Sequence, residues 1–410
     1  MKRSGTADLP LHHGRVPAWL SSRMALKGGA ITEVIVDEFG PDEFLSRISD
    51  PFWFQSFGAV LGMDWHSSGI TTSVMGALKK AINPKARQLG LLVCGGRGKY
   101  SRQTPSELLE FGMQTGLDGH ELARASRLTA KVDNNCLQDG FQIYQHNFIV
   151  TPGGKWAVVQ QGMNQETAFA RRYHWHSPQV QSFVSDPHAA VVGDNRGSLL
   201  NLSDKRADEA RDSIMSFMGE PMSLQWKEIG SLLAGPSRHL SLPAHHEVRP
   251  SDVNAERLGA VLALAHDKGC QSFTDALLLD GVGPRTVQSL ALVSEVIYGK
   301  PARFDDPARF SFAHGGKDGH PFPVPLKVYD EGINFMKRAV NKCRIDGQVR
   351  RESLNALSQI SRYIEETMDP RADVEAVIAH ERAESWKYGG MTECGGPEEP
   401  PKTDQLSLEF

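Results

Sequence analysis

The stretch from Leu277 to Gly299, LLLDGVGPRTVQSLALVSEVIYG, admits few folds. An apolar segment runs into two glycines that bracket one valine, and a proline then opens a second apolar segment. This order predicts a helix-hairpin-helix. The first helix starts at Ser272, whose hydroxyl, with the Asp275 carboxylate, serves the unpaired amides of an opening turn. Gly281 stops that helix, Val282 tucks between the two, and Pro284 suits a first turn because its missing N–H is not needed there. Val287, Leu290, Ala291, Val293, Ser294 and Ile297 then recur at helical spacing.

Glycines without Cβ atoms let backbone approach a ligand, and the amides of a helix N-terminus favour an anion. The natural anion is a DNA phosphate, held by Gly281, Val282 and Gly283 with Arg285 and Thr286 beside them. Such a contact positions a duplex without reading its sequence. The plain alternative is an ordinary helical hairpin in which Asp280-Gly281 only makes the turn.

At 410 residues the chain exceeds what one core usually fills, and 40% hydrophobic content suffices to fold two or three domains. The formal charge of −4 excludes a protein coated with positive charge, so any nucleic-acid surface is local. Basic clusters stand at Lys79, Lys80, Lys85 and Arg87, at Arg97, Lys99 and Arg102, and from Lys337 to Arg351. Each could equally be a solvated helix face. The five cysteines are odd in number and scattered, with no Cys-x-x-Cys pair, which fits a reducing cytoplasm and argues against a zinc ribbon. MKRSGTADLP lacks the apolar core of a signal peptide, and no stretch approaches the length that spans a bilayer. The expectation is a cytoplasmic protein with no membrane partner. Oligomeric state is left open, a homo-oligomer included.

Taken in order, the chain predicts an α+β protein. Residues 1 to 250 read as a mixed α/β domain that carries any catalysis, and 251 to 300 as the hairpin module. Residues 301 to 388 read as a loop followed by an α-helical bundle, and 389 to 410 as a disordered tail. Within the first domain, Ile31 to Val36 suggests a strand and Pro41 to Ile48 a short helix. The apolar run Phe52 to Met63 reads as a strand entering the polar turn DWHSSG, with a helix carrying Val74, Leu78 and Ile82 beyond it. Leu89 to Val93 reads as a buried strand leading to a loop, Gly95-Gly96-Arg97-Gly98-Lys99. That loop lacks the spaced lysine and hydroxyl of a Walker motif, so it is either a phosphate contact through Arg97 and Lys99 or a turn with exposed cations. The best β-hairpin signal is FQIYQHNFIV, the turn Thr151-Pro152-Gly153-Gly154, then KWAVVQQ. Strict alternation would put Phe141, Ile143 and Gln145 on one face, and Gln142, Tyr144 and His146 on the other.

Polar groups gather where a core would otherwise want apolar ones: Asp64, His66, Asp133, Asp139, His146, Glu166, Arg172, His174 and His176. Phosphodiester hydrolysis needs a metal held by carboxylates or imidazoles, a base for water, and a cation for the developing charge. Asp64 and Asp139 near strand ends would suit magnesium or manganese. His66, His146 or His174 could serve as base or further ligand, and Arg172 could stabilise the scissile phosphate. Each histidine read singly is a hydrogen-bonded structural residue, and only convergence in space would reverse that. A restriction-type core would want a lysine two positions after Gln160, where this chain has Gly162.

From Gly389 to Asp404 the composition turns to Gly, Pro, Glu and Lys, which buries too little surface to fold. The tether leads to Gln405-Leu406-Ser407-Leu408-Glu409-Phe410, which resembles the peptide by which bacterial polymerases and repair proteins attach to the sliding clamp. The resemblance implies that Gln405 bonds at a pocket rim while Leu406, Leu408 and Phe410 fill apolar pockets. The alternative is a tail that docks on its own helices. Across residues 30 to 345, DWHSSG, GGRGKYSRQTPSEL, WAVVQQGMN, ARRYHWHS, the GVG hairpin and HGGKDG resemble a bacterial and archaeal family, domain of unknown function 763. That family is similar to nucleases and repair proteins in carrying the hairpin module, which implies DNA cleavage but assigns no mechanism. The leading expectation is a metal-dependent nuclease of replication or repair, guided by the hairpin and localised by the clamp peptide. Its rival is a non-enzymatic DNA-binding adaptor using the same two contacts. A metabolic enzyme would need a cofactor motif that the chain lacks.

Overall fold

The computed structural model describes residues 9–10, 18–63, 68–167, 169–193, 196–233, 255–308, 326–343 and 347–367. Asp64 and His66, the HGGKDGH segment, and the tail with Gln405, Leu406, Leu408 and Phe410 lie outside the described residues.

Alternating apolar residues on both sides of a Pro-Gly-Gly turn produce the hairpin of β3 (Gln142–Val150) and β4 (Trp156–Asn164). Thr151 N donates to Lys155 O at 2.9 Å to close it. β2 (Leu92–Arg97) pairs antiparallel with β3, and β5 (Phe169–His176) antiparallel with β4, giving a four-strand meander. β1 (Leu9–Pro10) and β6 (Ala190–Val192) both pair with the far side of β5. The expected glycine loop is therefore partly strand: Gly95, Gly96 and Arg97 pair with Asn147, His146 and Gln145. A register shift between Ile143 and Gln145 breaks the strict alternation expected for β3. Beyond the bulge Gln145 lies opposite Gln161, and Tyr144 shares that side by accepting from Gln161 Nε2.

Helices cover both faces, because the sheet is apolar on both. One layer begins with α1 (Ala18–Phe39), α2 (Pro41–Ser49), α3 (Pro51–Val60) and α4 (Gly69–Ile82). The strand expected over Ile31 to Val36 is instead part of α1. Its Met24, Ile31 and Ile35 form one buried helical stripe, and burial overrides the β-branched preference. The strand expected over Phe52 to Met63 is α3, with Trp53, Phe54, Phe57 and Val60 buried. Asp50 caps that helix by accepting from Phe52 N at 2.8 Å and Trp53 N at 3.0 Å. A helix apolar all round is a buried one, and its period is easily lost in an unbroken apolar run. The short α5 (Ala86–Leu89) leads into β2.

The second layer contains α6 (Thr104–Thr115), α7 (Gly119–Lys131), α8 (Asp208–Gly219), α9 (Met222–Leu233), α10 (Ala255–Lys268), α11 (Phe273–Leu278) and α12 (Pro284–Tyr298). α7 runs without a break into a π-helical turn, Val132–Cys136. Two cores result. Val93, Ile149, Ala157 and Val159 face the first layer, while Cys94, Phe148, Val158, Tyr173 and Trp175 face the second. The remaining helices, α13 (Leu326–Lys342) and α14 (Gly347–Thr367), send Met336, Val340 and Leu357 into the first core, beside α1 and α3. The fold is α+β, an antiparallel sheet between two helical layers.

Candidate functional site

The sequence places three groups of functional residues, and the sheet sorts them. The first group is the turn between α11 and α12. Ser272 caps α11 by accepting from Asp275 N at 3.2 Å. Gly281 takes the left-handed φ of 85° that the turn needs, and Val282 is buried. Gly283 differs: its φ is −138°, and a Cβ there would meet only Arg257 Nη2, at 3.9 Å. The fold itself does not require glycine at that position. Around the turn, Lys131 Nζ donates to Val282 O at 2.8 Å and Gln138 Nε2 to Pro284 O at 2.8 Å. Arg257 Nη2 donates to Gly281 O at 3.3 Å. The carbonyls are thus held from behind by cationic and amide donors, while Gly281, Pro284 and Arg285 face solvent. Thr286 is buried and turns its hydroxyl to Gly281 O, so it braces the turn.

The second group lines the first-layer face. Gln145, Gln161 and Arg172 stand opposite one another across β3, β4 and β5, and Arg97 continues the row on β2. Arg172 is fully buried; Nε donates to His174 Nε2 at 2.8 Å and Nη2 to Gln55 Oε1 at 3.2 Å. An arginine nitrogen only donates, so His174 Nε2 is the acceptor and Nδ1 carries the proton, donated to Ile48 O at 3.2 Å. Burial first, and then Arg172, hold this imidazole well below its ordinary pKa. Burial also lowers the Arg172 pKa to about 9. Gln161 Nε2 reaches Ser68 O at 3.0 Å, and Thr71 donates to Gln161. The row therefore ends at the residue that follows the segment containing Asp64 and His66.

The third group lies on the opposite face. His146 Nδ1 donates to Gln160 Oε1 at 2.7 Å, and Nε2 accepts from Ser126 Oγ at 2.8 Å. Burial lowers its pKa as well. Gln160 Nε2 continues to the buried Asp133, which also receives Trp175 Nε1 at 3.0 Å and His188 Nε2. Asp139 is buried in a separate ion network. Its Oδ2 accepts from Arg171 Nη1 at 3.0 Å and Tyr173 OH at 2.6 Å, and its Oδ1 from Phe141 N at 3.0 Å. Asp306 holds the same guanidinium at 2.7 Å. Burial raises the Asp139 pKa against the opposing pull of Arg171. For Arg171, burial works to lower the pKa, but Asp139 and Asp306 prevail and raise it.

Of the six residues expected to carry catalysis, Arg172 and His174 come together. His146 and Asp139 lie across the sheet from them, and Asp64 and His66 fall outside the described residues. Asp139 does not fit a magnesium or manganese ligand, because both of its oxygens already take protein donors. Arg97 and Lys99 are exposed at the end of β2. Residues that sequence reading missed include Lys131, Gln138 and Arg257 behind the hairpin turn, and His188 beside Asp133. Lys131 lies 151 positions from Val282, and no local pattern marks it. Among the described residues, no helix is long and apolar enough to cross a membrane. No curated protein and no solved structure matches the chain. Residues 5–324 match the model of a family described as a protein of unknown function, DUF763, and the chain belongs to that family.

Proposed function

We propose that this chain binds DNA in replication or repair, gripping the phosphate backbone through the helix-hairpin-helix formed by α11, the Gly281-Val282-Gly283 turn and α12. The observation that carries this reading is Gly283, whose backbone angles and surroundings tolerate a side chain while its exposed neighbours leave room for a ligand. A glycine that the fold does not need is accounted for by close approach of something outside it. A phosphate over the first turn of α12 meets backbone amides and Arg285, with Lys131 and Arg257 adding positive charge behind the turn. Arg97 and Lys99 offer a second phosphate contact. Gln405, Leu406, Leu408 and Phe410 tether the protein to a sliding clamp.

The test is binding of a labelled duplex across a salt series. Gly283→Asp should weaken binding about tenfold or more, equivalent to ~1.4 kcal/mol, and flatten its dependence on salt, with the thermal melt unchanged. Equal affinity for wild type and variant would remove the hairpin from DNA recognition.

A second reading is a metal-dependent nuclease, favoured by the buried row from Gln145 to Arg172 that is tied to Ser68, the residue after Asp64 to Ser67 in the sequence. There the exposed Arg97 would meet a phosphate while the buried Arg172 holds His174, with Asp64 and His66 the residues available for magnesium or manganese and its bound water. Duplex and forked DNA incubated with magnesium, manganese or chelator tests it. Metal-dependent cutting that disappears in Asp64→Asn, with binding retained, is the expected outcome; no cutting by wild type with either metal leaves the non-enzymatic adaptor.

A further inference from the structure

Beside the polar row, the end of β2 carries a feature that gripping a duplex does not use. After Arg97 the chain enters a 3₁₀ segment, Gly98–Gln103, which presents Tyr100 with 51% of its surface exposed. The segment is braced: Ser101 Oγ donates to Gly98 O at 2.6 Å and Thr104 Oγ1 to Ser101 O at 2.8 Å. Gly96, at φ 147°, leaves the space in which Tyr100 sits, since a Cβ there would lie 3.2 Å from the tyrosine Cβ. An aromatic ring left in water on a braced support is a preformed platform rather than a stray loop residue. Exposed cations flank it along the chain. Lys99 Nζ stands 5.3 Å from the Tyr100 ring centroid, and the Arg97 guanidinium 5.7 Å from that of Tyr144. Arg102 is exposed on the same segment.

An aromatic ring among exposed cations matches the chemistry of an unpaired nucleotide, whose base stacks while its phosphate takes the charge. A duplex hides its base faces and offers such a ring nothing to stack on. A relay of contacts runs from the hairpin turn towards Arg97. Lys131, which holds Val282 O, leads into the π-helical turn, and Asn134 Oδ1 in that turn accepts from Ile143 N, one residue before Tyr144.

We infer that the substrate is a junction, with a duplex held at the hairpin turn and an unpaired strand stacked on Tyr100 beside Lys99, its phosphates within reach of the exposed Arg97 and Arg102. This inference rests on the DNA-binding reading and specifies the structure of the DNA. A stacked base takes the ring face opposite Lys99, or displaces that ammonium towards its own phosphate.

The experiment compares affinities of the full chain for a blunt duplex and for the same duplex bearing a single-stranded arm. Wild type should prefer the armed duplex. Tyr100→Ala should cut that preference about tenfold or more, and Tyr100→Phe should keep it, because stacking needs the ring and not the hydroxyl. Gly283→Asp should weaken both substrates alike. A wild type that binds blunt and armed duplexes equally, or a Tyr100→Ala variant that keeps the full preference, overturns the inference while leaving the hairpin reading in place. Failure of wild type to bind either DNA overturns both.

Discussion

His174 is held by a hydrogen bond that only a neutral imidazole can make, and His146 is buried between Ser126 and Gln160. Protonation would turn His174 Nε2 from an acceptor into a donor facing Arg172, whereas at His146 the Ser126 hydroxyl can turn to accept and burial alone opposes the charge. Burial lowers both pKa values from the ordinary 6.5. The unfolded chain therefore takes up protons near pH 6.5 while the folded chain resists them. Stability is full above that pH and is lost as pH falls below it, by up to about 1.4 kcal/mol per pH unit for each histidine. Denaturant titrations at pH 7.5, 6.5 and 5.5 should show this decline, and His174→Asn should make it shallower. A flat profile would mean that the two rings are protonated without penalty. Residues governed by local chemistry were legible in the sequence: the Ser272 cap and the buried Val282 stand where their neighbours predict. Asp139 was not, because its role is decided by Arg171, Tyr173 and Asp306, which come from distant parts of the chain. His188 carried no signal for the same reason, since its partner Asp133 lies 55 positions away.

Element by element, legibility followed the contrast between faces. The β3–β4 hairpin, α4 and α12 were readable because polar and apolar positions alternate with a clear period or stop at Gly and Pro. Parts of α1 and α3 read as strands because Ile31 to Val36 is rich in β-branched residues and Phe52 to Met63 is a dense apolar run that hides its helical period. β5 was passed over as a polar motif, ARRYHWH, for the opposite reason. Arg171 and Arg172 are both buried, one on each face, so no apolar stripe betrays the strand. The bulge in β3 puts Tyr144 and Gln145 on one side together, so that His146 shares the second-layer face with Ile143 and not the Arg172 side with Tyr144. A single inserted residue thereby decided which candidate catalytic groups could meet.

At the scale of the whole molecule, helices far apart in sequence complete each layer. α13 and α14 close a core begun by α1 to α4, and α10 to α12 close the one begun by α6 and α7. The clamp proposal belongs at this scale, because it concerns a partner molecule. Deleting Gln405 to Phe410 should abolish capture of the protein by immobilised bacterial sliding clamp while leaving the melting temperature unchanged. Undiminished capture by the shortened chain would place the contact elsewhere. The hairpin is bound into the body of the protein in a different way. The carbonyls of Val282 and Pro284 are held by Lys131 and Gln138, which belong to α7 and the strand-ward turn after it, not to the hairpin helices. A graft of residues 272–299 onto another scaffold would carry the glycines but leave those two supports behind. The letters of the turn can be copied alone, but the bonds that fix its carbonyls cannot.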